Sequence, residues 1–291
     1  VPLPQRLREA SPLRGVLVSV RSPEVAEALA LAGADWLFVD LEHSLIDVAA
    51  AQAITQAVAR RAYTVLRVAG NAPEHIQRAL DTGCDGVIVP MIRSAAEARA
   101  AVAAVAAARY PPLGARSVGI GRAHGYGYHF AETIRSANDA TALILQIEHI
   151  DAVRELDAIV ALCKRSRSGA EAACEAADKA AAEQGERPAR GIGRGLDASV
   201  AAGQGGVYAL FLGPYDLSGS LGVLGQIDHP SVVEAMATVR AACARQGVPL
   251  GIFCATAEQA AQELARGASF VTVGTDLGLM TRALQSGRTQ L

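Results

Sequence analysis

The sequence predicts an α/β protein folded as a (β/α)8 TIM barrel. Three observations lead there. The 291 residues suit one barrel of roughly 250 residues plus an insertion. Eight short apolar runs alternate with Ala-rich helical stretches. Polar and charged residues collect where several of those runs end. The runs are Gly15–Val20, Trp36–Asp40, Val65–Arg67, Gly86–Pro90, Leu143–Ile147, Tyr208–Leu212, Leu250–Phe253 and Phe270–Val273. Continuous rather than alternating apolar character is what a parallel sheet buried on both faces demands. Eight β/α units favour a closed barrel over an open doubly wound sheet.

The intervening segments carry helix signals. Ser22-Pro23 opens one helix, with Pro at its first position, and Gly33 closes it. Asn71-Ala-Pro73 opens another that Gly83 ends, and Gly267 ends the helix starting near Thr256. The entries Leu31-Ala-Gly-Ala-Asp35, Asp81-Thr-Gly-Cys-Asp85 and Ala265-Arg-Gly-Ala-Ser269 resemble one another, a faint repeat of the βα unit. Two stretches break the rhythm. Tyr110–Asn138 is rich in Gly, Arg and aromatics, and its His124 and His129 are candidates to line a site. Lys164–Gly206 reads as an insertion between helix 5 and strand 6, a helical piece followed by a Gly/Arg-rich loop. Neither holds enough apolar residues for its own core, so residues 1–291 read as a single domain. Gly191-Ile-Gly-Arg-Gly195 follows no strand and lacks dinucleotide-loop spacing.

Composition excludes several classes. A net charge of -2 offers no basic field for nucleic acid or an anionic membrane. No apolar stretch approaches the length of a membrane span, and Val1–Arg8 lacks a signal-peptide core, so a cytoplasmic location is expected. Five scattered cysteines form no C-x-x-C pair, which argues against a disulfide framework or a zinc site.

Chemistry in a barrel sits at the C-terminal ends of the strands. Strand two runs into Asp40, Glu42 and His43; strand three ends on Arg67; strand five on Gln146-Ile-Glu148; strand six passes through Gly213-Pro-Tyr to Asp216. Glu148 follows a strongly apolar run, where a bare carboxylate is costly; it either pairs with an arginine or ligates a metal. Asp216 either caps the next turn or is a second ligand. Two hard oxygen donors suit Mg²⁺ or Mn²⁺. Arg67 can hold a carboxylate or an enolate oxygen, or form a structural ion pair. His43 is placed to move a proton. Of 27 basic residues only Lys164 and Lys179 are lysines, both in the insertion. A Schiff-base mechanism, which needs a lysine on a strand, is thereby disfavoured.

Taken together, Asp40-Leu-Glu-His43, Arg67, Arg109-Tyr-Pro-Pro-Leu-Gly-Ala-Arg116, Leu145-Gln-Ile-Glu148 and Gly213-Pro-Tyr-Asp-Leu-Ser218 resemble the HpcH/HpaI aldolases, class II pyruvate aldolases. The resemblance runs from about Leu7 to Leu284, excepting Lys164–Gly206. It implies reversible cleavage of 4-hydroxy-2-oxo acids to pyruvate and an aldehyde through a metal-bound pyruvate enolate. It implies Glu148 and Asp216 as ligands of a divalent cation (magnesium, manganese or cobalt), and His43 as acid/base supported by Asp81. Arg67 and Gln146 would bind substrate, with the Gly213-Pro214-Tyr215 backbone cradling the pyruvyl carboxylate. A homohexamer is expected. The sequence departs at Ser117, where Gly is usual, at His149, where Thr or Ser is common, and at Leu17, often aromatic. These departures bear on the aldehyde side of the substrate. Two other readings remain open at this point. One is a related lyase acting on a CoA ester, with Arg190 and Arg194 offering phosphate contacts, or decarboxylating a 2-oxo acid. The other is a non-catalytic metabolite-binding barrel.

Overall fold

A computed structural model of the chain describes residues 1–9, 11–107, 119–163 and 207–289. Eight parallel strands pair in chain order and close into a barrel. They are β1 Leu13–Val18, β2 Trp36–Asp40, β3 Tyr63–Arg67, β4 Gly86–Ile92, β5 Ala142–Ile147, β6 Ala209–Leu212, β7 Leu250–Cys254 and β8 Phe270–Thr275. All eight expected strands are present. β2 matches end to end, whereas β1 begins and ends earlier than its apolar run. There Arg14 is exposed within an otherwise largely buried strand, so an apolar run alone does not mark the start. The Arg109–Arg116 motif, Ser117 and the Lys164–Gly206 insertion, with Arg190 and Arg194, lie outside the described residues.

The helix punctuation works as local chemistry dictates. The Ser22 hydroxyl accepts from Val25 N at 3.2 Å to open Pro23–Leu31, and Asp47 accepts from Ala50 N at 2.8 Å to open Val48–Val58. Thr256 does the same for Ala257–Ala265.

Two apolar shells hold the barrel. The outer shell packs Val, Leu, Ile and Ala of the strands against the helices. The inner shell is aromatic: Trp36, Phe38, Phe211 and Phe270 have ring centroids 5.3–6.1 Å apart. Such large rings fit only because neighbouring strands carry glycine. A Cβ on Gly15 would sit 2.4 Å from Trp36 O and 2.5 Å from its ring, and one on Gly251 would sit 2.3 Å from Phe270. Leu3 and Leu7, from and just beyond the helix Leu3–Arg6, close the floor with Leu13.

Each strand ends at one mouth of the barrel and each following helix runs back to the other. Cys163 and Val207, which flank the insertion, therefore lie at the N-terminal end of the strands. Residues 119–138, the described part of the Tyr110–Asn138 stretch, are also there. Its 3-10 turn Arg122–Gly127 points the Arg122 guanidinium at the carbonyls of Thr82 and Gly83, which lead into β4. His124 is buried beside Phe130 and His129 pairs loosely with Glu132, both far from the strand C-termini. The expectation that they line the site is corrected accordingly. Among the described residues, no helix is long and apolar enough to cross a membrane.

Candidate active site

The C-terminal mouth is organised by Asp40 and Arg67, which stand level on the paired strands β2 and β3. Arg67 Nε donates to Asp40 Oδ1 at 2.8 Å and Nη2 to Oδ2 at 2.7 Å. Both side chains are buried, and the guanidinium lies 5.1 Å over the Phe38 ring. Burial alone would push the Asp40 carboxyl up; the hydrogen bonds and charge of Arg67 outweigh it and hold the group below the usual range. The same Oδ1 accepts from Glu42 N at 3.0 Å and His43 N at 3.4 Å, while the Ser44 hydroxyl donates to Asp40 O. One carboxylate thus sets the guanidinium and the turn that carries His43. Glu42 lies with Oε2 3.2 Å from Arg67 Nε and 3.6 Å from His43 Nε2. His43 itself is well exposed at the mouth.

Across the opening, Gln146 ends the inward face of β5 and its Nε2 donates to Glu148 Oε2. Glu148 is buried, and its Oε1 accepts from Met91 N at 2.6 Å. That donor is aimed by a bulge. The β4–β5 register shifts between Val89 and Ile92, and Met91 sits at φ +57°. Burial pushes the Glu148 carboxyl up to about 6; the carboxylates of Asp216 and Glu42 push the same way, against the Met91 N–H and Arg67. Burial also raises Glu42, with Asp40 and Asp216 adding to it.

β6 delivers the third side. Gly213 passes so close that a Cβ there would meet Glu148 Cβ and Oε2 at 3.0 Å and Gln146 Nε2 at 3.2 Å. The helix Pro214–Ser220 starts at once, with Gly213 at its N-cap and no side-chain cap. Asp216 is in the first turn, exposed, so it does not occupy the capping position. Tyr215 leans on Phe253, ring centroids 6.0 Å apart.

Asp81 is elsewhere. It is the last residue of the helix Pro73–Asp81, and the residues after it feed the N-terminal end of β4. Within one protomer it stands at the opposite end of the barrel from His43. The expected support of His43 by Asp81 is therefore not made inside a single chain. His149 caps the helix Ile150–Arg154 through Nδ1, which accepts from Asp151 N at 3.2 Å, so this departure has a structural use. Three participants escaped the sequence reading. Asp40 and Glu42 were visible at the mouth without a role, and Met91 acts through its backbone.

A cavity of about 1020 Å³ lies at the other end, lined by residues including Arg60, Asp85 and Arg122. Asp85 there is engaged by Thr64 N. The mouth holds the richer chemistry.

The donor set fits a divalent cation only in part. Among the described residues, no group of three or more His, Cys, Asp or Glu is arranged to hold a metal alone. Yet Glu148, Asp216 and Glu42 repel one another, and Gln146 Oε1 is buried without a hydrogen-bond partner. Hard oxygens with excess negative charge suit magnesium or manganese completed by water and substrate. No lysine occurs among the described residues.

Comparison with known proteins agrees with this architecture. The family model for HpcH/HpaI aldolase/citrate lyase matches residues 14–283. The chain is 34% identical to a 2-dehydro-3,6-dideoxy-6-sulfogluconate aldolase of Pseudomonas putida, over 94% of this chain and 89% of that protein. It is 33% identical to a hydroxypyruvate/pyruvate aldolase of Paraburkholderia phytofirmans, over 97% and 94%. The crystal structure of an HpcH/HpaI aldolase/citrate lyase family protein from Burkholderia cenocepacia superposes with a TM-score of 0.80 at 32% identity, covering 99% of this chain and 98% of that one. A barrel with this mouth and relatives of this closeness have one consequence: the chain belongs to the HpcH/HpaI aldolase/citrate lyase family.

Proposed function

We propose that the chain is a class II aldolase that reversibly cleaves 4-hydroxy-2-oxo acids to pyruvate and an aldehyde. Its relatives above are named aldolases, one for a dideoxy-sulfogluconate and one for hydroxypyruvate and pyruvate. The observation that carries the reading is the pairing of opposites at one mouth. Arg67, with three N–H groups not engaged by Asp40, faces the acidic set of Glu148, Glu42 and Asp216. A small 2-oxo acid has a carboxylate and a ketone oxygen to place between them.

Glu148 and Asp216 would hold the cation, magnesium, manganese or cobalt. When bound, it supplies Lewis acidity toward the 2-oxo group. The protein does the rest. Arg67 binds the pyruvyl oxygens and steadies negative charge as it develops. Gln146 orients Glu148 and offers Oε1 inward, while the Gly213-Pro214-Tyr215 backbone receives the substrate carboxylate. Phe38 and Phe211 beneath exclude water. His43 takes the proton of the C4 hydroxyl. The C4–O bond becomes a carbonyl, the C3–C4 bond breaks, and its electron pair remains on the pyruvate enolate. The proton returned from His43 to C3 completes pyruvate and restores the base. One barrel accounts for every described element, so a single domain is the working assignment. A homohexamer carries over from the resemblance and is testable by light scattering.

The test is twofold. With Mn²⁺, the enzyme should exchange the C3 protons of pyruvate with deuterated water, and should release pyruvate from a 4-hydroxy-2-oxo acid. EDTA should abolish both and Mn²⁺ or Mg²⁺ restore them. Full activity after chelation, or no exchange under any metal, would sink the reading.

A further inference from the structure

We propose that Tyr215 and Phe253, with Leu17 across β8 from them, form the subsite for the aldehyde and select one that carries an aromatic ring beside its carbonyl. The inference rests on the reading of the chain as a pyruvate aldolase and names the second half of its substrate.

The mouth is divided. Asp40, Glu42, Arg67, Gln146, Glu148 and Asp216 bring charge and amide groups from the ends of β2, β3, β5 and β6. On the side of β7, β8 and β1 the polar groups are spent on one another. Asp276 is buried and accepts from Ser19 N at 2.8 Å, Ser19 Oγ at 2.7 Å and Val20 N at 2.8 Å. Thr275 Oγ1 accepts from Gly278 N at 2.9 Å. What this side offers the opening is apolar: Leu17 from β1 and Phe253 from β7, both half-buried and packed on the aromatic inner shell. Two arginines of the same side are engaged otherwise. Arg21 pairs with Asp47 at 3.4 Å, and Arg282 lies against Gly274 and acts by its charge on Glu258.

Tyr215 joins the two halves. It stands one residue before Asp216, in the first turn of the helix Pro214–Ser220, and leans back over β7. Its ring meets that of Phe253 edge to face, centroids 6.0 Å apart and planes at 70°, yet the residue is 39% exposed. A large ring left open beside a polar site gains by being covered. With the carboxylate and ketone of the substrate held between Arg67 and the acidic set, C3 opens toward the uncharged side, and the substituent of the aldehyde carbon follows it there. A flat ring suits this wall best. It can add a second edge-to-face contact to the Tyr215–Phe253 pair. Joined directly to the carbonyl, it also has few torsions to freeze. A charged tail finds no such welcome, since Arg21 and Arg282 have carboxylates of their own.

The test measures kcat/KM for benzaldehyde, 4-carboxybenzaldehyde and glycolaldehyde with pyruvate and Mn²⁺, read by product mass. Wild type should favour benzaldehyde over 4-carboxybenzaldehyde by about tenfold, the scale on which a pocket discriminates. The ratio of benzaldehyde to glycolaldehyde is then followed through variants. Phe253→Ala should lower it about tenfold and Tyr215→Leu about threefold, by loss of ring contacts. Tyr215→Phe, which keeps the ring, should move it less than about twofold. Leu17→Phe should lower it about tenfold by filling the space the substrate ring needs. Met91→Ala, which removes an exposed apolar side chain from the β4 side, should leave the ratio where it was. A wild type that prefers 4-carboxybenzaldehyde would overturn the proposal. So would a ratio unmoved in Phe253→Ala and Leu17→Phe, one that falls as far in Tyr215→Phe as in Tyr215→Leu, or one that falls furthest in Met91→Ala. Exchange of the pyruvate C3 protons needs no aldehyde and separates the two levels. Wild-type exchange with any of those outcomes removes the subsite alone, whereas no exchange under any metal removes the aldolase reading and the subsite with it. If Phe253→Ala fails to fold by thermal melt, Leu17→Phe and Tyr215→Leu decide.

Discussion

Arg67 commits two of its five N–H groups to Asp40, in a planar fork between level positions of adjacent strands. The pair is buried above Phe38, and so it serves the site more than the fold. A buried ion pair is a weak source of net stability, because desolvation offsets much of its attraction. What it supplies is direction. The remaining N–H groups of Arg67 are aimed without a search through rotamers, and the turn bearing Glu42 and His43 is pinned by the same carboxylate.

Removing Asp40 strands a buried cation. Asp40→Ala should cost about 3 kcal/mol, the low end for a broken buried pair, because Glu42 at 3.2 Å inherits part of the charge. Pyruvate KM should rise with it. Denaturant melts of Asp40→Ala, Glu42→Gln and the double variant test the compensation. The double variant should lose more than the sum of the singles, and strict additivity would show that Glu42 does not take over.

Glu148 makes the cation-free protein pH-sensitive, and the sign is fixed. Its carboxyl is raised to about 6 from an ordinary 4.5, so the folded state holds this proton more tightly than the unfolded state does. The associated stability is present below about 4.5 and is lost as pH climbs through 6, amounting to about 2 kcal/mol. In EDTA at pH 7.5, Glu148→Gln should therefore melt several degrees above wild type, with the difference shrinking toward pH 4.5. Mn²⁺ should raise wild type and leave the variant almost unmoved. A variant that melts below wild type in EDTA at pH 7.5 would refute the assigned cause.

The fold was legible because a parallel strand buried on both faces writes itself as an unbroken apolar run; Trp36–Asp40 is the clearest instance. The strand ends were legible for the same reason: Arg67 and Glu148 stand out against what precedes them. Met91 was not, since its contribution is a main-chain N–H aimed by a bulge, and its side chain carries no mark of that. Glu42 was hidden because its approach to Arg67 needs the Arg67–Asp40 geometry. The place of Asp81 was available all along. A residue closing a helix before a strand belongs to the end of the barrel where strands begin, so within one protomer Asp81 stands away from His43.

Gly213 tests the packing of the site without touching a charge. Its φ of -105° is ordinary, so alanine brings no backbone strain there. Its Cβ would instead press on Glu148 Cβ and Oε2 and on Gln146 Nε2, and the side chains must yield by a few tenths of an ångström. Gly213→Ala should weaken Mn²⁺ binding about tenfold, through displaced ligands, while destabilising the fold by only about 1 kcal/mol. Isothermal titration with Mn²⁺ reads the first and a denaturant melt the second. Unchanged Mn²⁺ affinity would mean that Glu148 is not held to its task from this side.

Gly251 offers the opposite case, a glycine for the fold alone. Its Cβ would fall 2.3 Å from the Phe270 ring and 2.6 Å from Phe211, and neither ring has room to retreat, since both pack in the inner shell with Trp36. Gly251→Ala should destabilise by about 3 kcal/mol or more, the upper range for an overpacked core. Phe270→Leu in the same chain removes the nearest ring edge and should recover part of that loss, although the same change in wild type destabilises by leaving a void. The sign reversal of one substitution between two backgrounds is the measurement to make. If Phe270→Leu costs as much in the Gly251→Ala background as it does in wild type, the glycine is not there to admit the ring.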